Sequence, residues 1–188
     1  MQRAASVAEE IRFVLDREAD CSVALQALRE GKLPLRVTHN DTKLNNILID
    51  RKTGEGICVI DLDTTMPGLS INDFGDSIRF GANHSAEDEK DLSKVNFDIA
   101  LYEIYANNFI AGAQGGLTEA ELAYLPWGAR LMTLECGIRF LADYLDGDRY
   151  FRISYPEQNL DRCRTQFKLV HDMEQQFEAM QKIIEKYI

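Results

Sequence analysis

The run His39-Asn40-Asp41-Thr42-Lys43-Leu44-Asn45-Asn46, followed without a break by Ile47-Leu48-Ile49-Asp50, decides how this chain is read. A polar loop flows into a β-prone strand and carries three groups at fixed offsets: Asp41, Lys43 two residues on, and Asn46 five residues on. Together they match what a phosphoryl group needs in order to move. A carboxylate at 41 can accept the proton of an attacking hydroxyl. An ammonium at 43 can neutralise the transferring phosphoryl, and an amide oxygen at 46 can ligate Mg²⁺. Taken singly, these are an ordinary loop carboxylate, a surface lysine and a turn asparagine. Their concentration between the end of one strand, 35–38 (LRVT), and the start of the next is what favours chemistry.

The next β-prone run, 57–61 (ICVID), is separated from 47–50 by Arg51-Lys52-Thr53-Gly54-Glu55-Gly56, a polar, glycine-containing turn. The pattern predicts a small hairpin whose second, buried strand ends in Asp61 and Asp63. Asp61 lies fifteen residues after Asn46, a separation that a hairpin closes, so the two can meet around one cation. Strand alternation sends Asp63 to the same face, as a second ligand or as a partner supporting the first.

With these residues in view, the sequence resembles a known superfamily. His-Asn-Asp-Thr-Lys-Leu-Asn-Asn is similar to the catalytic loop of protein kinases. The downstream Ile-Asp-Leu-Asp resembles the metal motif of aminoglycoside phosphotransferases and choline kinases. The longer strings VIDLDTTMPG, DFGDSIR and LECGIRFLADYLDGDRYF look like bacterial N-acetylhexosamine 1-kinases, over most of residues 35–177. The resemblance implies an α+β, mostly helical fold, the C-terminal lobe of a kinase-like protein, with a hairpin bearing the catalytic and metal loops. It implies Asp41 as the base, Lys43 on the γ-phosphate, and Mg²⁺ on Asn46 and Asp61, with Asp63 beside them. ATP would be the co-substrate, and the anomeric hydroxyl of an N-acetylhexosamine the acceptor. Asp73-Phe74-Gly75 spells the protein-kinase metal motif, yet it comes 27 residues after Asn46 with no β-prone run before it, so the metal role stays with Asp61. Asp76 resembles the carboxylate that fixes the catalytic-loop backbone, with a helix N-cap at Asp73 or Asp76 as the plain alternative. His39 reads as structural support of the same loop.

The departure from this pattern lies upstream. The 38 residues before His39 read as helical and offer neither a glycine-rich strand-turn-strand nor a strand lysine. The expectation is a lobe without its nucleotide-clamping partner, poorly active and weak in ATP binding alone, with exposed apolar surface that favours self-association.

Composition agrees with a soluble enzyme lobe. The 188 residues suit one domain over 1–188. A net charge of -10 speaks against nucleic acid, and with no membrane-length apolar run or signal peptide the expected location is cytoplasmic. Cys21, Cys58, Cys136 and Cys163 are scattered and read as reduced core thiols. Capping boxes at Ser6/Glu9 and Thr118/Glu121 predict helix starts. Further helices are expected over Val23–Arg29 and over 98–111, with Leu101, Ile104, Tyr105 and Phe109 inward. Others follow from Leu131 to Leu145 and from about Leu160 to the C-terminus, the charged run 87–91 being a solvated loop. Glu135 and Arg139 share a helical face and are candidate sugar contacts, with Tyr124 and Trp127 as a possible ring platform. His84 and His171 show no metal spacing. Two other functions stay open. A non-catalytic kinase-like module is one. The other is a haloacid-dehalogenase phosphatase, since Asp61-Leu62-Asp63-Thr64-Thr65 also spells that nucleophile motif.

Overall fold

A computed structural model describes residues 2–188. The chain is α+β and mostly helical. Helices α1 (Gln2–Ser6), α2 (Ala8–Leu15) and α3 (Val23–Arg29) precede four short strands, β1 (Arg36–Thr38), β2 (Ile47–Ile49), β3 (Gly56–Val59) and β4 (Met66–Gly68). Then come α4 (Ser70–Gly81), α5 (Ile99–Gly112), α6 (Glu119–Asp146), α7 (Gln158–Gln175) and α8 (Phe177–Glu185). Among the described residues every strand pair is antiparallel: β2 with β3 as the expected hairpin, and β1 with β4. A dehalogenase fold needs alternating strands and helices after its Asp motif. Here only β4 follows Asp61 before the chain becomes helical, which removes that alternative.

The long helix α6 is the axis of the fold, with α4 and α7 laid along it and α1, α2, α3 and α8 also touching it. It begins with the predicted capping box, in which the Thr118 hydroxyl accepts from the Glu121 amide while the Glu121 carboxylate accepts from that of Thr118. It ends at Gly147, whose φ of +95° supplies the left-handed stop. Pro126 lies inside it, so the stretch expected to begin at Leu131 is the second half of one helix. One core cluster surrounds α4, α5, α6 and α8, with Phe74 packed edge-on to Tyr102 at 5.7 Å and tilted against Phe109 at 5.2 Å. A second joins Val7 to Leu134, Phe140, Tyr144, Cys163, Phe167 and Val170.

Several expectations are corrected by packing. The Ser6/Glu9 box does not form: Val7 is fully buried and breaks the helix there, and the Ser6 hydroxyl turns back to the Arg3 carbonyl. On α5, Tyr102 and Ala106 face the core while Ile104 is exposed. The last helix breaks at Gln176, just after Glu174 accepts both Arg17 (2.6 Å) and Arg130 (2.7 Å). The run 87–91 is tied down, with Glu87 paired to Arg79 (3.0 Å) and Asp88 accepting from Gln158 (2.7 Å). Cys136 and Cys163 are core thiols that burial raises far above the ordinary range, but Cys21 and Cys58 are exposed. No described helix is long and apolar enough to cross a membrane.

One carboxylate in this frame gives a measurable pH signature. Glu121 is 1% exposed. Burial by itself would raise its pKa, but hydrogen bonds from Arg36, the Thr118 amide and Ser70 outweigh that and bring it down to about 2. A depressed carboxylate stabilises the fold above its ordinary value of 4.5 and loses that contribution as pH falls toward 2. Glu121→Gln should therefore cost on the order of 3 kcal/mol at neutral pH and progressively less between pH 4.5 and 2. Urea unfolding of both proteins at several pH values checks this, and a gap that does not narrow with acid would contradict it.

Candidate active site

The polar loop from His39 to Asn46 is shaped by hydrogen bonds from helix α4. Asp73 accepts the backbone N–H of His39 and of Asn40, each at 2.8 Å. Asp76 accepts that of Thr42 at 2.9 Å and is itself paired to the buried Arg79, also at 2.9 Å. The Thr42 hydroxyl donates to the Asp73 carbonyl at 2.6 Å. Neither aspartate is a helix cap, because α4 is entered at Leu69 and both lie within it. Three residues apart, they share one helix face and between them hold the loop amides on either side of Asp41. Asp73, legible in the sequence as part of a metal-motif lookalike or as a helix N-cap, is thus a carboxylate that shapes the loop. The signal available was its i, i+3 spacing from Asp76.

Held this way, the loop turns Asn40 into the left-handed region (φ +64°), a conformation that asparagine tolerates better than most residues. The Asn40 side chain donates to the Thr64 carbonyl at 3.0 Å, and the Thr64 hydroxyl donates to the His39 carbonyl at 2.6 Å. The His39 ring bridges the same two segments, its Nε2 lying 3.0 Å from the Ile60 carbonyl. That carbonyl can only accept, so Nε2 carries the proton. His39 therefore joins the 39–46 loop to the loop after β3.

Within this frame Asp41, Lys43 and Asn46 converge. Lys43 Nζ donates to Asp41 Oδ2 at 2.7 Å, and Asn46 Nδ2 donates to the same oxygen at 2.8 Å and to the Asp41 carbonyl at 2.9 Å. Burial works to raise the Asp41 carboxyl, but Lys43, Asn46 and His39 together hold it below the usual carboxylate range. The Lys43 ammonium is raised chiefly by Asp41, and it also feels Asp61 and Asp76. With its nitrogen committed to Asp41, Asn46 keeps its amide oxygen for another ligand.

The hairpin brings Asp61 to this cluster. Ile47 pairs with Val59, and the Ile60 amide donates to the Asn46 carbonyl at 2.9 Å, so residue 46 sits opposite 60 and next to 61. The geometry departs from the expected alternating strand. β3 ends at Val59, Asp61 is left-handed (φ +65°), and Leu62–Thr64 form a single 3₁₀ turn. That turn, not the period of a strand, sets Asp63 beside Asp61. Asp63's carboxyl is the largest influence on Asp61, raising its pKa by hydrogen bonding and by repulsion, while Lys43 pulls it down. Neither β2 nor β3 is buried: Ile57 is 65% exposed, and Ile47, Leu48, Ile49 and Val59 are all exposed. Among the described residues no group of three or more His, Cys, Asp or Glu is arranged to hold a metal ion. Mg²⁺ does not require one, since it is commonly held by one or two carboxylates together with substrate phosphates and water.

The candidate sugar contacts lie on α6. Glu135 and Arg139 pair loosely at 3.7 Å, both half-exposed, and Glu135 feels the charges of Arg79 and Asp76 on α4. Arg139 lies over the rings of Tyr150 and Phe151, at 5.8 and 5.4 Å, and lines an open groove of about 320 Å³ with Asp146. Trp127 is spent elsewhere, packed edge-on against Phe177 at 5.2 Å. His84 is paired with Asp98 at 2.9 Å.

Fold and site together describe an α+β protein whose strand-linked loops gather a carboxylate, a lysine, an amide and two further carboxylates. The model of the phosphotransferase enzyme family, APH, matches residues 2–105, more than half of the chain, and the chain belongs to that family. Membership brings phosphotransferase chemistry as its broad class, and the family generally uses ATP and Mg²⁺. The matched segment contains the whole loop, the hairpin and α4; Glu135 and Arg139 lie beyond it.

Proposed function

We propose that this chain is the catalytic lobe of a kinase that transfers the γ-phosphoryl of ATP to the anomeric hydroxyl of an N-acetylhexosamine. The observation that supports it most is the meeting of Asp41, Lys43 and Asn46 through one carboxylate oxygen, with Asp61 brought alongside by the hairpin. The acceptor hydroxyl gives its proton to Asp41 as its oxygen attacks the γ-phosphorus. The bond from that phosphorus to the bridging oxygen breaks, and the electron pair leaves with ADP. Lys43 exchanges part of its contact with Asp41 for the transferring phosphoryl. Asn46, through its free amide oxygen, and Asp61 are the residues that would hold Mg²⁺, with Asp63 as the third donor, and the ion would offset the repulsion between the two carboxylates. Bound there, the ion would offset charge on the β- and γ-phosphates. Arg139, stacked beside Tyr150, and Glu135 offer the donors and acceptors that a sugar requires. Strand β1 is preceded by helices alone among the described residues, so the glycine-rich nucleotide clamp would come from outside them.

The test has two arms. Mg²⁺ added to the folded ¹⁵N- and ¹³C-labelled chain should shift the resonances of Asn46 and Asp61 and leave those of Asp73 in place. With ATP and N-acetylglucosamine or N-acetylgalactosamine, ³¹P NMR should show a sugar 1-phosphate, produced by the chain alone or together with the product of the coding sequence immediately upstream. Shifts centred on Asp73, or sugar phosphorylated at a hydroxyl other than the anomeric one, would overturn the metal and substrate assignments respectively.

A further inference from the structure

Two segments converge on Asp41: strand β1, which runs directly into the loop, and helix α4, which holds the loop by Asp73 and Asp76. The first residue of each reaches the same buried carboxylate. Arg36, opening β1, donates to both oxygens of Glu121, Nε to Oε1 at 2.9 Å and Nη2 to Oε2 at 2.6 Å. Ser70, opening α4, donates its hydroxyl to Oε1 at 2.7 Å. Register explains the convergence, because Arg36 is paired with Gly68 across β1–β4, only two residues before Ser70. A capping box for α6 requires only Thr118 and Glu121. Burying this carboxylate at 1% exposure and adding a bidentate arginine and a serine goes beyond what starting a helix demands.

We propose that Glu121 is a positioning residue for the loop that carries Asp41, pinning the start of β1 and the start of α4 to one point so that the loop spans a fixed frame. Its relevance to phosphoryl transfer rests on the function proposed above, in which Asp41 must lie within hydrogen-bond reach of the acceptor hydroxyl. Displacements of about 1 Å at such a group are costly, on the order of 10²-fold in rate. Glu121 touches no reacting group itself. It acts through Arg36 and Ser70.

The test is amide hydrogen exchange resolved by residue on the folded chain, without nucleotide or sugar. In Glu121→Gln the amides of His39, Asn40 and Thr42, protected by Asp73 and Asp76, should exchange about ten-fold or more faster through local opening that low urea does not affect, while those of Gly137, Phe140, Cys163 and Val170 in the α6–α7 core accelerate only by the loss of global stability that urea unfolding of the same variant gives. Loop exchange that rises with urea as steeply as that of the core would show a general loss of stability and overturn the proposal, as would unchanged rates in the loop. If Glu121→Gln does not fold, Ser70→Ala removes one hydroxyl and leaves the cap and the ion pair standing. The same localised pattern, smaller, is expected, and its absence is equally decisive. A chain that phosphorylates no sugar would defeat the proposed function and leave this exchange result intact.

Discussion

Changing Asp41 to Asn is expected to lower phosphoryl transfer by about 10² to 10⁴-fold, the range typical of losing a positioned proton acceptor, with little change in the unfolding temperature. The replacement is isosteric, and Asp73 and Asp76 continue to hold the backbone on either side of residue 41. What disappears is the anion that Lys43 and Asn46 both face. Because those neighbours keep the Asp41 carboxyl below the usual carboxylate range, it is deprotonated across the physiological range. The acid limb of the rate profile should accordingly fall below the pH at which an ordinary carboxylate titrates, since a base with lowered pKa stays competent further into acid. Rates measured from pH 4 to 8 on wild type and variant test both points, wild type being expected to show no acid limb from Asp41 within that range. A variant as active as wild type would take the role of base away from Asp41.

Gly75→Ala should unfold the protein at a markedly lower temperature. A Cβ at Gly75 would lie 2.2 Å from the Gly128 carbonyl oxygen and 2.5 Å from its carbon, and one at Gly128 would lie 2.2 Å from the Ile71 carbonyl oxygen. These are backbone atoms of α4 and α6, which therefore cross with nothing but glycine between them and cannot yield by a rotamer change. Separating the two helices costs about 3 kcal/mol or more, at the upper end for overpacking a core. For a chain of this size that is roughly 6 to 12 °C in melting temperature. Because α4 carries Asp73 and Asp76, the damage should spread to the loop, and activity should fall further than stability alone explains. Calorimetry of Gly75→Ala beside Gly112→Ala, where an added Cβ meets nothing within 4 Å, separates the crossing from helix propensity. Equal melting temperatures would refute the close-packing argument.

The parts of this molecule legible in its sequence are those fixed by local chemistry. The offsets of Asp41, Lys43 and Asn46, the glycine-containing turn at 51–56 and the Thr118/Glu121 box each report an interaction spanning a few residues. What was not legible depends on distant partners. β4 contains Pro67 and Gly68, poor strand formers, and exists because Arg36 to Thr38 lie beside it. The apolar runs of the hairpin looked like buried strands, but apolar character leads to burial only where another element covers it, and here none does among the described residues. The left-handed turn at Asp61 replaced a strand period because the segment must bend to meet His39 and Asn40. Val7 defeated the Ser6/Glu9 box in the same way, being drawn into a core assembled from residues more than a hundred positions away.

Ion pairs fasten the beginning of the chain to its end: Arg3 to Asp148, Glu10 to Arg164 and Arg17 to Glu174, each at 2.6 Å. Between these clasps the loop after α5 runs through the exposed pair Gly115-Gly116 before Leu117 returns to the core. A protein so closed on itself is suited to being severed in that loop and reassembled, two separately expressed halves meeting along α4 and α6. By the same token residues 2–105, cut free of α6, would lack the surface on which α4 folds, so the part of the sequence that declares the family is not a unit that stands by itself.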